Sequence, residues 1–154
     1  MKQKKLSATV AEFIEILHER KLARVYPDAN IKEIISAFAD TAHTRILYVV
    51  NKEQKLLGVI STGTLARNLL IHLRGPEIDS LRLMHAITSE TAADFINRPM
   101  MTAYLSDRIE PLLEQMVSAN IKEIPILDNE EHLVGDLTLV DILHICADDI
   151  VPKK

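Results

Sequence analysis

Cysteine, tryptophan, glycine and aromatic residues are all scarce in this sequence. The chain has 154 residues, of which one is cysteine (Cys146), none is tryptophan and four are glycine, and aromatic residues make up 4%. A lone cysteine excludes an internal disulfide framework and fits a reducing compartment. No glycine-rich phosphate loop is present either, which excludes that kind of nucleotide site.

The chain also lacks long apolar runs and a surplus of positive charge. Its net charge is −4, with both signs interspersed, so nucleic acid is not expected as a main partner. The basic residues 1–5 are followed by an amphipathic stretch and not by the apolar core of a signal peptide. No apolar run approaches the roughly 20 residues of a membrane span. We therefore expect a cytoplasmic protein without membrane insertion.

Residues that build a core are present in ordinary amounts, but no catalytic set is visible. Hydrophobic residues make up 47% of the chain and charged residues 26%, which suits one compact domain or two small repeats. The histidines lack metal-ligand spacing, and the pair Asp141 and His144 has no third ligand. We expect no catalytic residue, no metal and no required cofactor, and we expect Cys146 to act as a small buried hydrophobe.

The most informative feature is an internal repeat. Tyr26–Ile31 matches Tyr104–Ile109 at an offset of 78 residues, and the match continues into an apolar run in which Ile46 falls on Ile124. The offset is then expected to drop to 77 in a polar turn that is one residue shorter in the second copy. After that turn the matched pairs are Gly58 with Gly135, Ser61 with Thr138 and Leu65 with Ile142. Both glycines are predicted to lie where another backbone approaches a strand closely.

Each copy has the pattern strand, helix, strand, strand, helix. The first helix of each copy opens on a predicted capping pair, Asn30 with Glu33 and Asp107 with Glu110. The pattern predicts an α+β fold with two βαββα units. Its other elements are strands at 46–50, 56–61, 124–127 and 133–138 and helices at 62–74 and 139–146.

Two segments lie outside the repeat. Residues 7–21 are predicted to form an amphipathic helix capped by Ser7. The connector, residues 75–97, is too apolar for a free linker, so we expect it to pack on the domain or on a partner. Its residues 91–97 are predicted to form a short helix leading into the second copy. The predicted order is an N-terminal helix, a first repeat, a partly helical connector, a second repeat and a tail, at 1–21, 22–74, 75–97, 98–147 and 148–154.

The second copy resembles the signature half of a cystathionine-β-synthase (CBS) domain. Its segment Ile124–Leu143, IPILDNEEHLVGDLTLVDIL, is similar to the family's Pro-Val-Val-Asp strand, short turn and Leu-Val-Gly-Ile-Ile-Thr-x-x-Asp-Leu pattern. The first copy is similar more loosely, through Ile46–Val50 and Leu57–Leu65, and Thr91–Met100 resembles the short helix that opens a CBS repeat. The resemblance covers residues 22–147.

This resemblance implies a fold and a role. Two CBS repeats pack through their sheets with pseudo-twofold symmetry into a Bateman-type module, and two clefts lie between them. Such modules often form homodimers, bind AMP, ADP, ATP or S-adenosylmethionine in a cleft, and regulate an enzyme or transporter. We therefore expect a regulatory module that senses an adenine nucleotide.

Thr138 and Asp141 are the sharpest candidates for ligand binding. Thr138 ends a strand where a helix begins, so helix N–H groups and its hydroxyl can meet a phosphate. One turn later, the carboxylate of Asp141 can accept from both hydroxyls of a ribose, and the family's Thr-x-x-Asp pattern implies this role. The alternative is a capping pair, since Thr-x-x-acid opens many helices.

The resemblance implies further ligand contacts. An adenine slot falls on Met101, Thr102, Ala103, Ile124 and Pro125. The cations nearest the predicted strand starts are Lys122 in the second copy and Arg45 with His43 in the first, and Arg98 is a weaker candidate. Because Thr64 stands where the ribose aspartate would be, the first cleft, with Arg45, Ser61 and Thr64, is expected to be the weaker one.

Two other functions stay open at this point. A ligand-free dimerisation and docking module would explain the degenerate first motif and the apolar connector, in which Leu81 and Met84 stand out. A small enzyme would need a catalytic set that the sequence does not show. Within the sensor hypothesis, S-adenosylmethionine is the alternative ligand.

Overall fold

The structure, a computed structural model, describes residues 6–16, 20–41, 44–74, 80–81, 84, 90–99 and 101–150. This part of the chain contains six principal helices and six strands. In chain order they are α1 (Val10–Ile16), β1 (Arg24–Val25), α2 (Ile31–Ala39), β2 (Ile46–Val50), β3 (Leu56–Ser61), α3 (Thr62–Leu73), α4 (Ala92–Phe95), β4 (Ala103–Tyr104), α5 (Ile109–Ser118), β5 (Glu123–Leu127), β6 (Leu133–Thr138) and α6 (Leu139–Ile150).

The strands form two three-stranded sheets of identical topology, with the orders β1-β2-β3 and β4-β5-β6. In each sheet the first pair is parallel and the second is antiparallel. The middle strand is the most buried one in both sheets, which explains its continuous apolar run. The predicted α+β fold with two βαββα units is therefore confirmed.

The predicted place of the slip between the copies is wrong. Ile46 pairs with Ser61, and Glu123 pairs with Thr138, so the counterpart of Ile46 is Glu123 and not Ile124. The two polar turns have equal lengths and equivalent hydrogen bonds, from Asn51 N to the Lys55 carbonyl and from Asp128 N to the His132 carbonyl. The slip lies before the middle strand. The apolar pattern does not reveal this slip, because the counterpart of Ile46 is Glu123, a buried acid in a strand.

Each sheet is completed by the short helix that opens the other repeat. Phe13 of α1 lies in the core of the second sheet with Ile109 and Met116. Phe95 of α4 lies in the core of the first sheet with Ile34. Both phenylalanines are almost fully buried, so each unit needs a helix from a distant part of the chain to cover its apolar face.

Backbone hydrogen bonds fix this exchange in the same way twice. Val10 N donates to the Asp107 carbonyl at 2.8 Å, and Ala92 N donates to the Ala29 carbonyl at 2.8 Å. As a result, the chain divides into two compact units, one of residues 21–98 and one of residues 1–20 with 99–154. The helix predicted within 91–97 is present as α4, and it packs on the first copy.

Of the three predicted caps, the one at Asn30 is confirmed, whereas those at Asp107 and Ser7 are wrong. Asn30 and Glu33 form the expected reciprocal capping box. Asp107 instead accepts from the backbone N of Tyr104, and Arg108 is the residue that precedes α5. The first N–H groups of α5 donate to carbonyls of residues 6 and 8, because the N-terminal segment lies against that helix start.

The two ends of the repeat region also differ from expectation. Helix α1 opens on Thr9 with Glu12, which exchange backbone and side-chain hydrogen bonds, and not on Ser7. Helix α6 extends past Cys146 to Ile150, so the start of the predicted tail is helical. In the connector, Leu81 and Met84 are exposed, while its residues 75–79, 82–83 and 85–89 lie outside the described residues.

Gly58 and Gly135 occupy equivalent positions but face different surroundings. A Cβ on Gly58 would overlap Ile96 Cγ2 and lie 2.8 Å from the carbonyl oxygen of Asn97. A Cβ on Gly135 would meet only methyl groups at 3.7 Å, which is ordinary contact. The predicted close approach is therefore confirmed for Gly58 and wrong for Gly135.

We predict that Gly58→Ala destabilises the protein by about 1–3 kcal/mol, because the segment at Ile96 and Asn97 has to move. The matched control Gly135→Ala should change stability by less than about 1 kcal/mol, since an alanine fits there without strain. Urea unfolding of both variants measures this. Equal losses in the two variants would contradict the role assigned to the close approach at Gly58.

Candidate functional site

The end of β6 and the start of α6 hold the two sharpest candidates. Thr138 N donates to Asp141 Oδ2 at 3.0 Å, the Thr138 hydroxyl donates to the same oxygen at 2.7 Å, and Asp141 N donates to Thr138 Oγ1 at 3.1 Å. These contacts are those of a capping pair. The side chain of Asp141 is 12% exposed, so it lies at the base of the helix and not on its surface.

Arg20 contacts this carboxylate from a distant part of the chain. Its Nη1 lies 2.9 Å from Asp141 Oδ1 and its Nη2 lies 2.8 Å from Asp141 Oδ2, which is a bidentate pair. Its Nε donates to Asp136 Oδ1 at 2.8 Å. One guanidinium therefore holds two carboxylates, one from β6 and one from α6.

Burial and this guanidinium set the protonation of the two acids in opposite directions. For Asp141, burial acts to raise the pKa, but hydrogen bonds from Arg20 and Thr138 outweigh it and lower the pKa. For Asp136, burial prevails over the charge of Arg20 and raises the pKa. Burial acts to lower the pKa of Arg20, but its bonds to both acids raise it. At neutral pH, Asp141 is thus a stable anion held by a stable cation.

Glu123 adds a third acid to this cluster. It pairs with Thr138 across the sheet, it is 8% exposed, and it hydrogen-bonds to Asp136. Arg20 supplies the positive charge that such buried acids require. Within the described part of the chain, no group of three or more histidine, cysteine, aspartate or glutamate side chains is arranged to hold a metal.

The residues predicted to hold adenine lie on β4, on β5 and just before β4. Ala103 and Ile124 belong to the hydrophobic core, so only their backbone could face a ligand. Pro125 is the counterpart of Tyr48, whose N donates to the Ala23 carbonyl at 2.8 Å. Because proline has no N–H, the corresponding carbonyl of Met101 does not receive that bond.

Thr102 is half-buried, as is Met101, the residue before it in the predicted slot. It precedes β4 and adjoins Met101, whose side chain packs against the core. The structure therefore offers a short polar backbone edge at 101–102, next to apolar side chains.

The predicted cations are exposed. Lys122 Nζ donates to Asn120 Oδ1 at 2.6 Å, and its carbonyl accepts from Leu139 N. Arg45 is exposed and its carbonyl accepts from Thr62 N, so it is the counterpart of Lys122. Arg98 is exposed as well, and His43 lies outside the described residues.

The first copy has a neutral version of the same arrangement. The hydroxyls of Ser61 and Thr64 lie 2.9 Å apart, and Thr64 N donates to Ser61 Oγ at 3.1 Å. Asn97 Nδ2 lies 3.5 Å from Thr64 Oγ1, and the backbone of Asn97 bridges to Val59. Val59 is the counterpart of Asp136. Asn97 thus contacts Thr64 as Arg20 contacts Asp141, but without a charge on either side.

An open groove lies elsewhere, in the unit of residues 21–98. Its volume is about 370 Å³, and it is lined by residues 21–24 and by one face of α2 with the turn after it. The groove includes none of the predicted site residues. Its lining mixes Lys21, Arg24 and Lys32 with Glu33 and Asp40, so it favours neither anions nor cations.

Sequence reasoning missed Arg20, Asp136, Glu123 and Asn97. A signal existed for Asp136, which stands in a strand position where the family pattern has an apolar residue, and a buried acid there requires a cation. No signal pointed to Arg20, since it lies 121 residues from Asp141 and is brought there only by the exchange of the opening helices.

We predict that Asp141→Asn lowers the free energy of unfolding by about 1–2 kcal/mol at pH 7. This loss is smaller than for a fully buried ion pair, because the partly exposed side chain of Arg20 is screened by solvent. The folded state lowers the pKa of Asp141, so this stabilisation is present above the unfolded pKa of about 3.9 and is lost as the pH falls below it. Urea unfolding from pH 7 to pH 3.5 should show the difference shrink.

The control for this experiment is Asp40→Asn, which changes an exposed aspartate at the end of α2. It should alter stability by less than about 0.5 kcal/mol at neutral pH. A deficit of Asp141→Asn that stays constant down to pH 3.5 would contradict a stabilising charge on Asp141.

Curated relatives show the sequence neighbourhood of the chain. It is 22% identical over 142 residues to the homoserine O-acetyltransferase of Methanococcus vannielii and 28% identical over 112 residues to the magnesium transporter MgtE of Enterococcus faecalis, covering 89% and 72% of this chain. The chain spans only 26% and 21% of those proteins. It is 26% identical to an uncharacterised protein of Methanocaldococcus jannaschii, with 77% of this chain and 82% of that protein covered.

Solved structures share the fold. A CBS domain-containing protein of Thermotoga maritima superposes with a TM-score of 0.69 at 24% identity, over 96% of this chain and 99% of that one. CBSX2 in complex with AMP gives 0.69 at 17% identity, over 93% and 98%. The CBS domain pair of protein MJ0100, in complex with 5′-methylthioadenosine and S-adenosyl-L-methionine, gives 0.64 at 20% identity, over 91% and 96%.

Among the residues that the structure describes, no helix combines the length and the apolar character needed to cross a bilayer. The family model of the CBS domain matches two stretches, residues 10–71 and 92–148, and each stretch contains one opening helix and one βαββα unit. Together they cover most of the sequence. This chain belongs to the CBS domain family, as a tandem pair.

Proposed function

We propose that this CBS pair is a regulatory module that binds an adenine ribonucleotide, AMP, ADP or ATP, at Thr138 and Asp141 and passes its occupancy to a partner protein. The observation that supports it best is the pairing of Thr138 with a buried, ionised Asp141 at the first turn of α6. A carboxylate at this depth can accept hydrogen bonds from ribose hydroxyls where little water competes.

The neighbouring groups suit the rest of a nucleotide. Thr138 and the first N–H groups of α6 provide donors for a phosphate, and Lys122 adds an exposed positive charge near the start of β5. The Met101 carbonyl, which receives no N–H from Pro125, is an acceptor suited to the exocyclic amine of adenine. Thr102, Ala103 and Ile124 complete this proposed slot through their backbone.

The fold neighbours support the class of ligand. CBSX2 is in complex with AMP, the MJ0100 pair with 5′-methylthioadenosine and S-adenosyl-L-methionine, and the cytosolic domain of the Mg²⁺ channel MgtE with ATP, the last with a TM-score of 0.60 at 20% identity. All of these ligands carry an adenosine group. We assign the same group to this chain, with S-adenosylmethionine as the alternative to AMP, ADP or ATP.

The regulated partner in this proposal is an enzyme or a transporter in the cytoplasm. Two of the curated relatives carry such names, an acetyltransferase and a magnesium transporter, and in both the similar segment is a minor part of the protein. A CBS pair acts as a regulatory module and not as a catalyst, so the proposal assigns no catalytic residue to this chain.

A specific observation favours a second function, a ligand-free docking module. Arg20 already satisfies Asp141, and the first copy has Thr64 in place of the aspartate. A site that is complete without ligand could serve only to hold the fold. In that case the exposed apolar residues Leu81 and Met84 of the connector would meet a protein partner.

Titration calorimetry separates the two functions. We expect AMP, ADP, ATP or S-adenosylmethionine to bind near one molecule per chain, and we expect Asp141→Ala to weaken that ligand by tenfold or more, because a buried hydrogen-bonding partner of the ribose is lost. Thr64→Ala, the matched change in the first copy, should leave affinity nearly unchanged. No heat from any of the four ligands with folded protein would favour the docking module.

We also propose a homodimer that uses the outer face of α6. Val140 and Leu143 form an apolar strip there, 59% and 65% exposed. Leu143→Asp should convert the dimer to a monomer in light scattering at micromolar concentration, since a charge is costly in an apolar interface. Val117→Asp on α5, at 63% exposure, is the control and should leave the mass unchanged. A wild-type monomer would rule out this dimer.

A further inference from the structure

We propose that Arg20 is a built-in competitor for the carboxylate of Asp141, so that an adenine ribonucleotide binds there only by displacing it. The inference rests on the proposed function and adds the way in which the site is regulated. It is carried by the hydrogen bonds of one carboxylate.

Both oxygens of the Asp141 carboxylate accept hydrogen bonds in this structure. A carboxylate offers about four lone-pair directions. Four donors point at Asp141, namely Thr138 N, the Thr138 hydroxyl, Arg20 Nη1 and Arg20 Nη2, all at 2.7–3.0 Å. Three of these donors lie on Oδ2 and only Arg20 Nη1 lies on Oδ1. One direction of Oδ1 is therefore open, and a ribose that donates both of its hydroxyls to Asp141 has to replace an N–H of Arg20.

Arg20 is the donor that can leave. Thr138 lies three residues from Asp141, and its two bonds hold the start of α6. Arg20 lies 121 residues away in sequence, and its side chain is 41% exposed, so its Nη groups can reach water when they leave Asp141. It also keeps a partner after release, because its Nε is bonded to Asp136 Oδ1 at 2.8 Å.

The position of Arg20 in the chain gives its release a consequence. Residue 20 is the last of one compact unit, and Lys21 is the first residue of the other. Asn97, which contacts Thr64 in the first copy, likewise stands directly before the boundary at Arg98. Arg20 contacts Asp141, and Asn97 contacts its counterpart Thr64. Both therefore lie where the chain passes from one unit to the other. A ligand that takes Asp141 from Arg20 leaves the chain at that boundary held by Asp136 alone among these two acids, and this loosening would report occupancy to a partner.

The experiment measures the affinity of adenosine and AMP for the full chain and for Arg20→Ala, Arg20→Lys and Asp136→Asn. We expect Arg20→Ala to bind both ligands about tenfold more tightly than wild type, since the competing bidentate pair is gone. Arg20→Lys should be intermediate, because an amine cannot donate to both oxygens at once. Asp136→Asn, which leaves Arg20 and Asp141 in place, should tighten adenosine by a smaller factor, because Arg20 is held less firmly.

Adenosine and AMP together exclude another role for Arg20. An arginine that bound the phosphate would make Arg20→Ala weaker for AMP and unchanged for adenosine, and that result would overturn the competition. Equal affinities of wild type and Arg20→Ala for both ligands would overturn it too while leaving the proposed function intact. Absence of binding in every variant would refute the proposed function and this inference together.

A second measurement on wild type does not depend on any variant folding. The Nη–H groups of Arg20 donate to the carboxylate of Asp141, whose side chain is 12% exposed, so their NMR signals should be protected from exchange with water. Saturating adenosine should speed that exchange at least severalfold if the guanidinium is displaced. Unchanged protection in the ligand-saturated protein would show that Arg20 stays in place, and it would overturn the proposal.

Discussion

Each sheet of this protein needs the opening helix of the other repeat to cover its core. Phe13 and Phe95 are the apolar residues that do so, and both are almost fully buried. A three-stranded sheet with two helices leaves part of one face bare, and the exchange of the short helices closes it. The exchange also brings the segments after those helices to the starts of α6 and α3. The contacts of Arg20 and Asn97 therefore follow from a demand of the hydrophobic core.

The two copies diverge most at the place where those segments arrive. In the second copy, Glu123 hydrogen-bonds to Asp136, and Asp136 contacts a guanidinium. Their counterparts in the first copy are Ile46 and Val59, and the arriving residue there is an asparagine. Buried acids require a cation and apolar residues do not, so the presence of Arg20 and the presence of the acids explain each other. The second copy has the carboxylate of Asp141 where the first has the hydroxyl of Thr64, and this is why the proposed function is assigned to the second copy.

The fold was predictable because its signals are local. Alternating strands, helical periodicity and the capping box at Asn30 can all be read within about ten residues. The errors arose where a contact came from far away. The carbonyls of residues 6 and 8 cap α5 and so replaced Asp107. Glu123 broke the apolar pattern because its partner Asp136 lies on the neighbouring strand β6. The pairing of Thr138 with Asp141 was predictable from their spacing, whereas the contact of Arg20 was not, since no periodicity encodes which segment the helix exchange delivers.

A Thr-x-x-Asp pair that caps a helix can also be a sensor, because Thr138 donates only to Oδ2 whereas Oδ1 receives its bond from Arg20. The bonds from Thr138 fix the helix whether or not a ligand is present, while the bonds from Arg20 fill the directions that a ribose would use. The affinity of the ligand is then set by the difference between the free energy of its own bonds to Asp141 and that of the bonds from Arg20 that it replaces. By linkage, anything that holds the chain around Arg20 in place weakens the ligand, and the ligand weakens that hold by the same factor. A partner that binds near the N-terminal helix would therefore tune the sensor, and the sensor would tune the partner.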